Sequence, residues 1–182
     1  MTKKLTVTGV MLALSVVLSL IRLFDAPFGG SVTLGSMLPV ITVALLYGMR
    51  WGILSGLVYA ALNMLLTGIP APPVADAASY CLVILLDYVL AFGGLGLAGG
   101  IYRLLPKKAF SVPVAAIVAI AFRFLCHFLS GILIWSVYAW EGVGAAWYSF
   151  LYNGSYMLFE LIITAVLSVF VAKWIIKESL IH

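Results

Sequence analysis

Apolar runs long enough to cross a bilayer recur along the whole of this 182-residue chain, and that recurrence decides its class before any motif is considered. About 20 consecutive apolar residues carry a helix across the hydrocarbon core. With 65% hydrophobic and only 9% charged residues, the chain holds too little polar surface to clothe a soluble globule. The fold class is therefore all-α and integral to the membrane, expected as one domain over residues 1–182. Six spans are expected, over residues 5–24, 37–47, 51–67, 77–105, 111–135 and 147–176. The first run is too long for the apolar region of a signal peptide and lacks a small-residue cleavage site, so it reads as a transmembrane helix. The second is short and carries Pro39 near its start, which predicts a short or tilted helix.

The breaks between runs have their own chemistry. Residues 26–36, APFGGSVTLGS, cannot be regular helix throughout; they form either a plain loop or a lid folded over a cavity. Three prolines in residues 68–76, GIPAPPVAD, mark a surface loop. The glycine-dense stretch FGGLGLAGG, residues 92–100, allows close helix approach, with Gly96 and Gly100 as a small-xxx-small pair. Gly9 and Ala13 form a similar pair on the first helix. No GxxxxGK[ST] occurs, so no ATP site of the Walker type is present. Cys81 and Cys126 fall inside apolar segments and read as small buried hydrophobes, without metal-ligand spacing around them.

The net charge of +4 does not point to nucleic acid, because the basic residues are scattered singly at segment ends. Lys3, Lys4, Arg50, Arg103, Lys107, Lys108, Lys173 and Lys177 fall on the side shared by both termini, with Arg22 opposite and Arg123 inside the membrane. The positive-inside rule then predicts both termini in the cytoplasm. The glycine-rich, proline-rich and aromatic loops would face outward.

The densest polar information lies between Arg123 and Asn153. Arg123 and His127, four residues apart, share one helix face, with Trp135 at the flank two turns on. Polar groups at membrane depth are costly without partners or a water-filled cavity, which makes them site candidates. Asp87 in the fourth segment belongs to the same class, either as a site carboxylate or as a structural partner of Arg123 or His127. Asn153, Tyr156 and Glu160 share a face of the last helix, Glu160 deeper and placed to pair with Arg123. Tyr148 lies about 140° from Asn153 on an ideal helix, so the two can face one ligand only if the helix begins between them. Most of the other aromatics suit an interfacial belt. Such a pocket, with carboxylate, imidazole, amide and ring faces, suits a flat heteroaromatic ligand with amino groups and a positive charge. An intramembrane enzyme using His127, Asp87 and Glu160 is the rival class, but no nucleophile paired with a base and no metal-ligand motif supports it.

The patterns HFLSGILIWSVYAW and YSFLYNG, with GGSVTLGSMLP and LLDYVLAFGGLGLAG, resemble the thiamine-specific S-component of energy-coupling factor (ECF) transporters. The resemblance covers essentially the whole chain. It implies a multi-pass protein of the bacterial plasma membrane that captures thiamine outside and carries no cofactor or metal of its own. It also implies partners in the bilayer and beneath it: two cytoplasmic ATPases and a transmembrane coupling protein. By position, the family's ligand contacts correspond to Asp87, Tyr88, His127, Trp135, Tyr148 and Asn153, and its coupling pair on the first helix is similar to Gly9 and Ala13. Two departures stand out. Asp87 is one methylene shorter than the glutamate some members have. The region around Gly30 and Leu34 lacks the glutamate and tryptophan that some members place there. An S-component for another heteroaromatic vitamin is the nearest alternative.

Overall fold

In the computed structural model the described residues are 1–179 except Phe28 and Lys107; of the basic residues used above for orientation, Lys107 therefore lies outside them. Helix α1 covers Thr2–Leu20, followed by an antiparallel hairpin of β1, Arg22–Asp25, and β2, Ser31–Thr33. Then come α2, Leu38–Tyr47, and α3, Met49–Thr67. Helix α4 spans Ala77–Leu104, α5 Ser111–Leu133 and α6 Ala145–Ser179. Five of these helices, all but α2, are long and apolar enough to cross a membrane. Their outward surfaces carry many exposed large hydrophobics, such as Leu54 on α3, Leu125 on α5 and Phe159 on α6. Those side chains face lipid, which explains why a folded chain leaves them uncovered.

Helix α2 differs from the sequence expectation of a span. Its ten residues rise about 15 Å, half of a hydrocarbon core of about 30 Å. Eight of the ten are buried, because α2 is packed by α1, α3, α4 and α6. It is a core plug. Gly48 ends it with a φ of 90°, a conformation open to glycine at little cost, and the chain reverses directly into α3.

Three further boundaries move. The first helix stops at Leu20 rather than running to residue 24, because Arg22–Asp25 pairs as a strand with Ser31–Thr33. The fifth stops at Leu133, which leaves Trp135 in the turn before a short 3₁₀ segment, Ser136–Tyr138. The sixth begins at Ala145, two residues before Trp147 and ahead of Tyr148. Cys81 is exposed rather than buried, on the outer face of α4, whereas Cys126 is buried; both are free thiols.

Close approach of α3 and α4 depends on glycine. A Cβ added at Gly56 would strike the carbonyl oxygen of Phe92, and one at Gly96 the backbone nitrogen of Ile53. Gly99, rather than the expected Gly100, is the second tight position: it faces the carbonyl of Ala44 and the backbone at Gly48, while Gly100 meets only the flexible thioether of Met49. The basic residues near Lys4 collect at one end of the bundle, where the Lys4 ammonium lies 4.1 Å over the Trp51 ring and Arg103 packs against Gly48. Gly56→Ala and Gly96→Ala should each lower stability in detergent by about 1–3 kcal/mol, seen as an earlier thermal unfolding midpoint. Gly9→Ala, with nothing within 4 Å of an added Cβ, should not move it; equal midpoints for all three would contradict the close approach.

Candidate ligand-binding site

At the end of the bundle where α5 finishes and α6 begins, a cavity of about 220 Å³ opens between α3, α4, α5, α6 and the β1–β2 hairpin. Asp87, Tyr88, His127, Trp135, Tyr148 and Asn153 all line it. Gly9 and Ala13 do not; both lie exposed on the outer face of α1.

The local fold of α4 explains how two consecutive residues reach one cavity. Residues Ile84–Leu90 form a π-helical turn, whose widened pitch places Asp87 and Tyr88 side by side at the wall. Such turns put extra backbone into a helix and recur at functional sites. Tyr88 is further held by its phenol, which donates to the carbonyl of Gly68 at 3.1 Å and ties α4 to the end of α3.

Asp87 does not stand alone. Its Oδ1 is 2.8 Å from His127 Nδ1, and Ser130 Oγ donates to its Oδ2 at 2.6 Å. Arg123 Nε in turn donates to His127 Nε2 at 3.1 Å. A guanidinium can only donate, so Nε2 must be the accepting nitrogen and Nδ1 carries the ring proton toward Asp87. The imidazole is thereby neutral, fixed in tautomer and orientation, and it lines the cavity. The Arg123 guanidinium also lies 4.1 Å over the ring of Phe92, a cation–π contact that offsets part of the cost of its position. Asp87 thus lines the cavity and pairs with His127.

Asn153 is equally committed. Its amide nitrogen reaches the carbonyls of His127 and Ser149 at 3.2 and 3.0 Å, and its oxygen accepts from the Tyr156 phenol at 2.7 Å. The residue pins α6 to α5 at the cavity wall. Tyr148 also lines the cavity although α6 begins before both residues, against the expectation from their angular separation. Helical side chains lean toward the N-terminus of the helix, and the length of the Tyr148 ring lets it reach the same cavity wall as Asn153. It stacks on Tyr152 with ring centroids 5.8 Å apart, and its hydroxyl is buried without a hydrogen-bond partner among the described residues. Trp135 stands at the rim against Tyr138. Trp140 and Trp147 are exposed and outside the cavity, as a belt role implies.

Sequence reasoning missed several lining residues. Asn63 and Thr67 on α3, Ser19 on α1 and Tyr152 on α6 carried only the weak signal of polar groups near the ends of apolar runs. Glu160 was placed opposite Arg123, but its Oε1 instead accepts from the backbone nitrogen of Thr33 at 2.5 Å and from the Thr33 hydroxyl at 2.7 Å. The hairpin reached α6 first.

A sequence profile of the thiamine transporter protein family (Thia_YuaJ) matches residues 5–179. The chain belongs to that family. Among its relatives, the thiamine transporter ThiT of Bacillus subtilis is 28% identical over 170 residues, covering 87% of this chain and 84% of that one. The protein of the same name from Lacticaseibacillus paracasei is 28% identical over 139 residues, 71% of this chain and 67% of that one. A solved structure of ThiT from Listeria monocytogenes superposes with a TM-score of 0.74 at 22% identity, over 98% of this chain and 97% of that one. The last comparison supports the fold. Membership makes the chain a multi-pass membrane protein of a transporter family, and its relatives are named as transporters rather than enzymes.

The Asn153 amide that pins α6 to α5 is itself held by Tyr156, one turn further along α6. Tyr156→Phe removes the only proton that the Asn153 oxygen receives from the described residues, and should cost about 1 kcal/mol of stability. A thermal unfolding midpoint equal to that of the parent protein would show that the buried pair contributes nothing.

Proposed function

We propose that the chain is the thiamine-binding S-component of an ECF transporter: it takes thiamine from outside the cell and leaves the work of release to ATP hydrolysis in partner subunits. The observation that carries this is the convergence of Asp87, Tyr88, His127, Trp135, Tyr148 and Asn153 on one cavity, in a chain whose named relatives are thiamine transporters. Thiamine is a flat aminopyrimidine joined to a cationic thiazolium ring, and each part finds a suitable group. Ring faces of His127, Trp135 and Tyr148 offer stacking, and a cation over an aromatic face gains about 0.5–2 kcal/mol. The Tyr148 hydroxyl, without a hydrogen-bond partner among the described residues, can meet the polar edge of the pyrimidine, and Tyr88 and Asn153 stand on the same cavity wall. No covalent step is needed.

In this reading both termini are cytoplasmic, the cavity opens outward, and the whole chain acts as one binding unit without a cofactor. The β1–β2 hairpin beside the cavity is the natural cover. The exposed Gly9 and Ala13 on α1 are a small-residue stripe suited to close packing by a transmembrane coupling protein, with two cytoplasmic ATPases beneath.

Titration with thiamine should quench the intrinsic tryptophan fluorescence of the purified protein to saturation. Trp135→Ala should remove most of that signal, and His127→Ala should weaken binding by about tenfold or more. A response to another vitamin but none to thiamine would keep the cavity and replace the ligand. For the coupling face, Gly9→Leu with Ala13→Leu should abolish thiamine uptake by cells while the purified variant still binds; uptake at the parental rate would remove these positions from the interface.

A further inference from the structure

Among the described residues, four side chains that line the cavity bear a formal charge: Arg22, Asp87, Arg123 and Glu160. Arg22 is half exposed and paired with Asp25 at 3.1 Å, so this pair is locally neutral at the rim. Inside remain two carboxylates, Asp87 and Glu160, against one guanidinium, Arg123, because the hydrogen-bond pattern fixes His127 as neutral. With both carboxylates ionised, the interior carries one negative charge in excess. Buried charge of that kind is costly unless something pairs with it.

The two carboxylates are not equivalent. Both oxygens of Asp87 are engaged, by His127 and Ser130. Glu160 is 3% exposed, its Oε1 is held by two donors from Thr33, and its Oε2 is buried with no hydrogen-bond partner among the described residues. The oxygen left over belongs to a residue on the cavity wall.

We infer that Glu160, reaching the cavity from α6, is the counter-charge for the cationic ring of the ligand, while its Oε1 stays anchored to the β1–β2 hairpin. This rests on the thiamine reading above and assigns a residue that the matched sequence motifs do not include. Because one carboxylate holds both Thr33 and the ligand's charge, occupancy and the position of the hairpin become properties of a single side chain. The hairpin itself brings no carboxylate to the cavity: Asp25, its acidic residue, is exposed and turned to Arg22. The task falls to α6.

The experiment compares thiamine with 3-deazathiamine, in which a neutral thiophene replaces the thiazolium, on the full-length protein in detergent. The parent protein should bind the cation more tightly than the neutral isostere. Glu160→Gln keeps the shape and an oxygen for Thr33 but removes the charge; it should weaken thiamine by about 10- to 100-fold and the isostere by less than about threefold. It should also raise the unfolding midpoint of the ligand-free protein while shrinking the rise that thiamine produces, two shifts of opposite sign that a merely structural residue would not give. Glu160→Asp, which keeps the charge, should retain the preference for the cation. Thr33→Val, which loosens only the anchored oxygen, should weaken both ligands alike. Equal losses for both ligands in Glu160→Gln, or no loss for either, would overturn the assignment, as would a parent protein with no preference for the cation. A parent protein that binds neither ligand would instead remove the thiamine reading and this assignment with it.

Discussion

Everything around the cavity depends on one contact, the 2.8 Å pair between His127 on α5 and Asp87 on α4. A lone carboxylate or a lone guanidinium at membrane depth is costly, and an imidazole there needs both nitrogens satisfied. Joining Arg123, His127, Asp87 and Ser130 into one relay answers all three requirements at once. It also fixes the distance and rotation between two helices that apolar packing alone would leave free to slide, since lipid tails and leucine side chains are alike to a helix surface. The relay is a structural device, and it stands on the cavity wall.

The remaining elements follow from holding α4, α5 and α6 in that arrangement. The half-length α2 fills the space beneath, and its short length is possible because neighbouring protein, not lipid, surrounds it. Glycines at the α3–α4 crossing bring α3 near enough for Tyr59 to pack edge-on against Phe92, with ring centroids 5.0 Å apart. Phe92 in turn carries Arg123 on its face. A chain of contacts thus runs from a backbone crossing to the cation that orients the histidine. The π turn in α4 belongs to the same solution, because it lets Asp87 meet α5 while Tyr88 meets the loop after α3. The hairpin completes the wall, and Glu160 hydrogen-bonds it to α6.

Much of this was readable from residues. The polar positions Asp87, His127 and Asn153 were conspicuous because each interrupts an apolar run, and such interruptions are rarely tolerated without a partner. Their convergence was readable too, from the placement of each near the same end of its segment. What could not be read was the partner of each group. Glu160 and Arg123 looked matched by depth and sign, yet depth along two helices says nothing about rotation, and Thr33 arrived on a hairpin too short and too irregular to give a strand signal. Tyr148 and Asn153 looked incompatible on an ideal helix, because the length and lean of a phenol ring are invisible to an angular count. Asn63 and Thr67 drew no notice, since a polar residue near the end of an apolar run is also what an interface permits.

The sequence by itself determined the solvent. A composition this apolar, arranged in runs of bilayer length, leaves helices across a membrane as the physical outcome, because the backbone must satisfy its own hydrogen bonds there. It also determined which residues were too polar to be idle. Tertiary structure alone decided that one of the six expected spans is a buried plug, that Arg22–Asp25 and Ser31–Thr33 pair as a hairpin, and which carboxylate oxygen among the described residues is left without a partner. Those outcomes turn on rotations of about a hundred degrees per residue and on the approach of segments far apart in the chain. Hydropathy, which counts residues along a line, carries no record of either.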